Sequence, residues 1–196
     1  MKKFLFSALT ACSLISARAD LFQYVVTLTD AGEALPSPGA SGSGTVNYDS
    51  TAHSLQLQVS FAGLMGATTA SHIHAPTAVA GTGNASVATT TPTFALFPLG
   101  VSSGSFANTL DLTQASSYNP SFVTANGGTT AGAEAALAAA IAGGKAYWNI
   151  HSLYASGGEI RGFIVPAPEP SSLALVALGG FGMAARVWKQ RHTKKS

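Results

Sequence analysis

The sequence reads SLQLQVSF from Ser54 to Phe61, with an apolar side chain at every second position. Side chains two apart on a β-strand point to the same side of a sheet, so this alternation predicts a strand with one buried face. A turn cluster at Asp49-Ser50 separates it from a second strand at residues 44–48. Two such strands joined by a short turn are typical of a β-hairpin.

Further strands are predicted on both sides of this hairpin, as short segments separated by Gly, Pro and Ser clusters. One Ala-rich helix over residues 131–141 interrupts them, with Thr130 as its cap and Gly143-Gly144 as its end. Because no βαβ order is present, we expect an all-β fold, an antiparallel sandwich or barrel with one short helix. The other predicted strands cover residues 21–29, 68–73, 94–96, 104–112, 145–151 and 159–165.

The first nineteen residues have the pattern of a signal peptide. Lys2 and Lys3 form a basic start, residues 4–15 are apolar, and Ala17 and Ala19 supply a small-x-small cleavage site. We therefore expect export and cleavage by a signal peptidase after Ala19.

The leader has a second interpretation, because LTAC over residues 9–12 has the pattern of a bacterial lipoprotein box. Cleavage before Cys12 would leave a very short signal and would strand the apolar Leu14 and Ile15 in the mature protein. We therefore favour cleavage after Ala19, in which case the only cysteine of the chain leaves with the leader.

The C-terminal segment combines three features in a fixed order. The motif Pro168-Glu169-Pro170 is followed by an uncharged run over residues 171–185 and then by basic residues. A helix over residues 171–187 would span about 25 Å, close to the hydrocarbon core of about 30 Å. Basic residues after such a helix stay in the cytoplasm, which places residues 20–165 outside. The basic residues are Arg186, Lys189, Arg191, Lys194 and Lys195.

Residues 165–196 resemble the PEP-CTERM sorting signal of Gram-negative bacteria, in which the same three features occur in this order. The resemblance implies recognition by an exosortase, cleavage near the motif, and a mature protein released to the cell surface or an exopolysaccharide matrix. An anchor whose apolar tail is removed leaves a mature protein outside the membrane. We divide the chain into a leader at 1–19, a β domain at 20–165 and a sorting segment at 166–196.

The predicted β domain is poor in charge and acidic. Two basic residues stand against seven acidic ones between residues 20 and 165, a net charge of −5. Nucleic-acid binding needs a basic face, which this composition excludes. An anionic polysaccharide bound through charge is disfavoured for the same reason. Without a cysteine the domain has no disulfide and depends on its core or on a metal.

Two segments carry residues with binding chemistry. The first reads SHIHAP and contains His72 and His74, and the second reads YWNIH and contains Asn149 and His151. Within each strand these polar residues lie two apart and share a side, while the apolar residues between them face the core. If the two strands are neighbours, three imidazoles meet on one surface.

Copper and zinc both accept imidazole nitrogen as a ligand. The pattern therefore indicates a candidate metal site formed by His72, His74 and His151. The alternative is a structural one, in which the three histidines hold turns together through hydrogen bonds. Both interpretations remain open from the sequence.

These two motifs, followed by GEIRG over residues 158–162, resemble the CHRD domain, which occurs in chordin and in many secreted bacterial proteins. The resemblance covers residues 21–164 and is closest at the motifs. It implies an immunoglobulin-like β-barrel whose biochemical activity in bacteria is unassigned.

The GEIRG motif places Glu159 and Arg161 on one side of a strand. Glu159 could be a ligand or an acid/base group, or Arg161 could be the centre of a charged hydrogen-bond network that closes the barrel. We favour the second interpretation because no other carboxylate is placed to act with Glu159. Asn149, Glu159, Arg161 and Gly162 are then structural residues of the motif.

The leading hypothesis for function is a non-enzymatic structural or interaction module of the bacterial surface or matrix, with exopolysaccharide or surface proteins as partners. The first alternative is a copper- or zinc-binding domain that uses His72, His74 and His151 and could have redox or dismutase activity, since the His-x-His strand is similar to the copper strand of Cu/Zn superoxide dismutase. The bridging histidine and zinc loop of that enzyme have no counterpart here. A weaker alternative is a carbohydrate-binding module that uses Tyr147, Trp148 and Tyr154 as an exposed platform.

Overall fold

The computed structural model of the protein describes residues 21–168. They form eight strands and two α-helices, besides a single 3₁₀ turn at Ala115–Ser117. In chain order these elements are β1 (Leu21–Leu28), β2 (Ser41–Asp49), β3 (Ser54–Ala62), β4 (Thr68–His74), β5 (Gly104–Asp111), α1 (Pro120–Ala125), α2 (Thr130–Ala142), β6 (Tyr147–Ser152), β7 (Ile160–Phe163) and β8 (Val165–Pro166).

The strands form two antiparallel sheets, one with the order β5-β3-β2-β1-β8 and one with the order β4-β6-β7. The predicted hairpin is confirmed: β2 pairs with β3 from Asp49 and Ser54 outward. Oδ1 of Asp49 accepts hydrogen bonds from the backbone N–H groups of Thr51 and Ala52, which fixes the turn. Alternate residues of β3 are buried, as the period-two pattern requires.

One buried apolar cluster contains residues from both sheets. Its largest member is Trp148 of β6, whose ring lies 5.7 Å from that of Phe94 and 6.3 Å from that of Phe106. The indole N–H donates to Oγ of Ser71 at 2.7 Å, so its polar atom is satisfied inside the core. The side of β4 and β6 that carries Ile73, Trp148 and Ile150 therefore faces this cluster, with Ser71 as a polar member, and the histidines and Asn149 lie on the other side.

The Ala-rich helix is confirmed as α2, although its cap is Thr129 rather than Thr130. The hydroxyl of Thr129 accepts from the N–H of Gly132 at 3.1 Å. The shorter helix α1 was not predicted from the sequence. Asn119 caps it through a bond from the N–H of Ser121 at 3.0 Å, and Pro120 occupies its first turn.

The strand predicted at residues 94–96 is wrong. Leu96 has a φ of 67°, a left-handed conformation that a strand does not contain. Phe94 is fully buried against Trp148, and its N–H donates to the carbonyl of Ser71 at 3.0 Å. This segment is therefore a loop that inserts an aromatic ring into the core.

No helix within residues 21–168 is long and apolar enough to cross a membrane. The predicted apolar segment at 171–187 lies outside the described residues. So do the leader with Ala17 and Ala19, and Glu169 and Pro170 of the sorting motif.

Gly162 lies where β7 meets β1, and a side chain there would collide with backbone. A Cβ on Gly162 would overlap the carbonyl oxygen of Thr27. We expect Gly162→Ala to lower the free energy of unfolding by about 2 kcal/mol or more, because the strands must separate. Urea unfolding of the full chain in mild detergent measures this.

Gly157→Ala is the matched control, since a Cβ at this position would have no atom within 4 Å and the φ of Gly157 is not left-handed. It should change the free energy of unfolding by less than about 0.5 kcal/mol. Equal unfolding midpoints for the two variants would contradict the close approach of β7 and β1.

Candidate metal centre

The structure brings the three histidines together. His72 and His74 lie on β4 and His151 on the neighbouring β6, where Asn149 pairs with His72 and Tyr147 pairs with His74. The ring centroid of His72 is 4.8 Å from that of His74 and 4.6 Å from that of His151. One nitrogen from each ring lies within 4.8 Å of the other two. A shared ion about 2.0–2.1 Å from each nitrogen would hold them about 3.4 Å apart, closer than the 4.8 Å limit of this cluster.

This cluster is buried, and the expectation of a three-histidine surface is wrong in that respect. On the side of β4 and β6 opposite the core, the loop after β4 contacts His74 through Ala85, and the loop between β6 and β7 contacts His151 through Ser156. His72 is 7% exposed, His74 and His151 are 9% exposed, and Asn149 is 2% exposed. All six residues of β6 are buried, so the strand has loops on one side and the core on the other.

Two of the imidazoles are oriented by backbone carbonyls. Nδ1 of His74 lies 2.8 Å from the carbonyl oxygen of Ala85, and Nδ1 of His151 lies 2.9 Å from that of Ser156. A carbonyl oxygen only accepts, so each Nδ1 carries the hydrogen and each Nε2 presents a lone pair. This is the arrangement in which the outer partner fixes a metal-binding tautomer.

Three nitrogens of the cluster are buried without a hydrogen-bond partner: Nδ1 of His72, Nε2 of His74 and Nε2 of His151. Buried polar atoms in native proteins are nearly always paired, so three such atoms in one cluster require an explanation. A shared metal ion would satisfy all three. The residues present therefore fit a copper or zinc ion.

Burial keeps these imidazoles neutral. Burial, together with smaller contributions from His151 and His74, lowers the pKa of His72 to about 3. Burial also lowers the pKa of His74 and of His151, although the carbonyls of Ala85 and Ser156 oppose the shift. Neutral imidazole is the form that ligates a metal, so protons do not compete for the cluster at pH 7.

Tyr147 and Arg161 stack beside the cluster. The ring of Tyr147 lies parallel to that of His74 at 4.7 Å, and the guanidinium carbon of Arg161 lies 5.0 Å from the centre of the Tyr147 ring. Tyr147 and Trp148 are both buried, and only Tyr154 of the three predicted platform aromatics is partly exposed. These three residues therefore do not form the exposed sugar platform considered above.

Arg161 connects two loops to β7. Its Nη1 donates to Oδ1 of Asn84 at 2.6 Å, and its Nη2 donates to the carbonyl of Gly32. Its Nε lies 3.7 Å from Oε1 of Glu33, a carboxylate whose pKa is raised by burial and partly lowered again by Arg161. The guanidinium group therefore holds the loops at residues 32–33 and 83–84 against the sheet.

A family model of the CHRD domain matches residues 24–164, well over half of the chain. The chain belongs to the CHRD domain family. A second model, the PEP-CTERM protein-sorting motif, matches residues 166–190 and spans the predicted Pro168-Glu169-Pro170 sequence. This CHRD protein is therefore exported and sorted by an exosortase. The sorting motif is that of Gram-negative bacteria and implies that the protein is anchored in the membrane while it is sorted. No curated protein and no solved structure gives a significant match.

Glu159 of the CHRD motif is fully buried, and both of its oxygens are occupied by donors from the protein. Oε1 accepts from Ser37 Oγ at 2.6 Å and from Met65 N at 2.5 Å. Oε2 accepts from Gly66 N at 3.2 Å and from Ser152 Oγ. Burial raises the pKa of Glu159, but these four hydrogen bonds outweigh it and hold the pKa below its usual value. The ionised carboxylate thus anchors two loops and the end of β6, and it is not a free ligand.

The sequence did not reveal the groups that orient the histidines. Ala85 and Ser156 contribute only carbonyl oxygens, so their side chains leave no signal. Glu33 approaches Asn149 beside Gly158, since all three meet at the position where a Cβ on Gly158 would lie. Glu33 comes from a Pro/Gly/Ser-rich loop without periodicity, and no spacing rule links it to the motif.

Proposed function

We propose that this exported CHRD domain binds a copper or zinc ion through His72, His74 and His151. The observation that carries the proposal is the set of three buried, unpaired nitrogens in one cluster. Neutral imidazoles with two fixed tautomers are ready to ligate an ion without first losing protons.

A purely structural role for the histidines accounts for less of the geometry. The carbonyl bonds of His74 and His151 use one nitrogen of each ring and leave the other buried without a partner. His72 has no hydrogen bond at its buried Nδ1. Each unsatisfied buried group lowers the stability of the fold by about 1–3 kcal/mol, and a purely structural role for the histidines would leave this loss uncompensated.

We further propose that the mature domain reaches the cell surface or the exopolysaccharide matrix and acts there as a non-enzymatic module that holds the ion. The burial of all three histidines supports this, because little room remains for a substrate such as superoxide to reach the metal. The single apolar cluster shared by the two sheets supports a sandwich of the immunoglobulin-like type. Cleavage of the leader after Ala19 belongs to the same proposal.

The metal content of the purified protein tests the proposal. The full chain, made without a polyhistidine tag and purified in mild detergent without chelator, should carry close to one copper or zinc ion per chain by elemental analysis. The ion should survive gel filtration in buffer containing free histidine, which removes weakly held metal. A well-folded protein without copper or zinc, and unable to take up either, would overturn the proposal.

A further inference from the structure

The three candidate ligands bring no charge to the ion. The outer nitrogens of His74 and His151 bond to neutral carbonyl oxygens, whereas many metal-bound histidines donate to a carboxylate. Among residues 21–168, no Asp or Glu joins the ligand cluster. The positive charge of a bound ion would therefore not be compensated by its own ligands.

The charged groups around the cluster do not compensate it either. The guanidinium of Arg161 stacks on Tyr147, whose ring stacks on His74, so a cation is the next charge beyond this ligand. The carboxylate of Glu33 lies 3.7 Å from Nε of Arg161 and also approaches the amide of Asn149, so these two opposite charges offset each other beside the cluster. The carboxylate of Glu159 accepts four hydrogen bonds, from Ser37, Met65, Gly66 and Ser152.

Charge decides which ion a neutral, buried ligand set prefers. The cost of transferring an ion out of water rises with the square of its charge, so a dication costs about four times as much as a monocation of the same size. Zinc takes four protein ligands in structural sites and a water as the fourth ligand in three-histidine sites, whereas this cluster offers three ligands and is buried. Monovalent copper has the same closed d¹⁰ shell as zinc, half the charge, and accepts three-coordinate imidazole ligation.

We propose that the histidine cluster selects monovalent copper over zinc. This proposal rests on the metal-binding function above and names its ion. The selectivity follows from the neutral ligands, the burial of the cluster and the cation stacked beside it. It does not depend on sulfur, because the three ligands of the cluster are histidines.

Competition titrations of the full chain in detergent test the selectivity. Under anaerobic conditions, Cu⁺ is titrated against the chelator bicinchoninate and Zn²⁺ against a fluorescent zinc chelator. We expect one Cu⁺ per chain and a dissociation constant for Cu⁺ more than about 100-fold below that for Zn²⁺. Equal or tighter binding of Zn²⁺ would overturn the selectivity and leave the metal-binding function intact. Failure to bind either ion would overturn both.

Asn149→Asp tests the cause of the selectivity. Asn149 lies directly across the strand pair from His72, is almost fully buried, and has an Oδ1 without a hydrogen-bond partner. An aspartate of the same shape adds a negative charge there, and the preference for Cu⁺ over Zn²⁺ should fall by at least about tenfold. Asn47→Asp on the five-stranded sheet is the matched control and should leave the preference unchanged.

An unchanged preference in a folded Asn149→Asp variant would overturn the charge argument. Should that variant fail to fold, the wild-type titrations decide, since equal or tighter binding of Zn²⁺ overturns the selectivity.

Discussion

Replacing His72 by alanine should remove the metal from the protein, with a loss of affinity well above the roughly 100-fold that loss of an outer-shell partner costs. His72 is the central ligand, since its ring lies 4.8 Å from that of His74 and 4.6 Å from that of His151, whereas the outer two are 6.0 Å apart. Without His72, only the nitrogens of His74 and His151 remain in the cluster, on rings that are 6.0 Å apart. Competition titration and elemental analysis of the His72→Ala chain measure the loss.

His53→Ala is the control for this experiment. His53 is another histidine of the β domain, its side chain is 52% exposed, and it bonds to Glu134 at 2.9 Å, away from the cluster. It should retain the full metal content. Circular dichroism and urea unfolding without metal show whether each variant is folded. An unchanged metal content in folded His72→Ala would refute the ligand assignment.

Saturating metal should also stabilise the wild-type chain and not the His72→Ala chain. An ion that binds only the folded state at 1000 times its dissociation constant adds about 4 kcal/mol to the free energy of unfolding. The difference between the unfolding midpoints with and without metal therefore reports the same site independently of elemental analysis. A wild-type midpoint that does not respond to copper or zinc would contradict the prediction.

Period-two alternation was sufficient to predict much of the sheet structure. It identified β3, because its polar positions are exposed and its apolar positions are buried. It also predicted that Ile73, Trp148 and Ile150 lie in the core and that the histidines point the other way. The assignment of side chains to the two faces is insensitive to small errors in the strand ends, because a side chain changes face only if the register slips by one residue.

The environment of the histidines was not predictable in the same way. Their burial depends on the loops that carry Ala85 and Ser156, and loops have no period from which a position could be read. A strand with polar residues on its second side is normally read as half-exposed. Here both sides of β6 are covered, so the same pattern describes an inner polar layer instead of a surface.

Two local features were missed for different reasons. The signal for α1 was present, since Asn119 and Pro120 are a common cap and first-turn pair, but a helix of six residues has almost no periodicity to support it. The apolar residues at 94–96 have the pattern of a short strand, yet Phe94 is a core residue that lies on a loop. An apolar run of three residues is too short to distinguish these cases.

The prediction that Glu159 and Arg161 lie on one side of a strand, based on their spacing of two residues, was also of limited value. Residues two apart share a side only while both belong to the strand, and β7 begins at Ile160. Glu159 therefore turns toward the loops at Ser37 and Met65, while Arg161 reaches Asn84 on another loop. Each charged group has its own set of partners.

Glu159→Ala should lower the free energy of unfolding by at least about 3 kcal/mol, because it leaves four donors without their acceptor. Two of these donors are backbone N–H groups of Met65 and Gly66, which cannot turn to find another partner. The loop that carries Ser37 and the end of β6 at Ser152 lose the same anchor. Urea unfolding of the full chain at pH 7, compared with wild type, gives the magnitude.

Glu159→Gln separates the charge from the shape, and its effect should depend on pH. The folded-state pKa of Glu159 lies below the usual 4.5, so its carboxylate stabilises the fold fully above pH 4.5 and loses this contribution as the pH falls through the folded-state pKa. The gap between wild type and Glu159→Gln should thus be largest at neutral pH and narrow below pH 4.5. Glu134→Gln, at a buried carboxylate that bonds to Tyr48 and His53, should cost less at pH 7. Equal costs for the two variants, or a gap that does not change with pH, would show that Glu159 is not the ionised anchor of these loops.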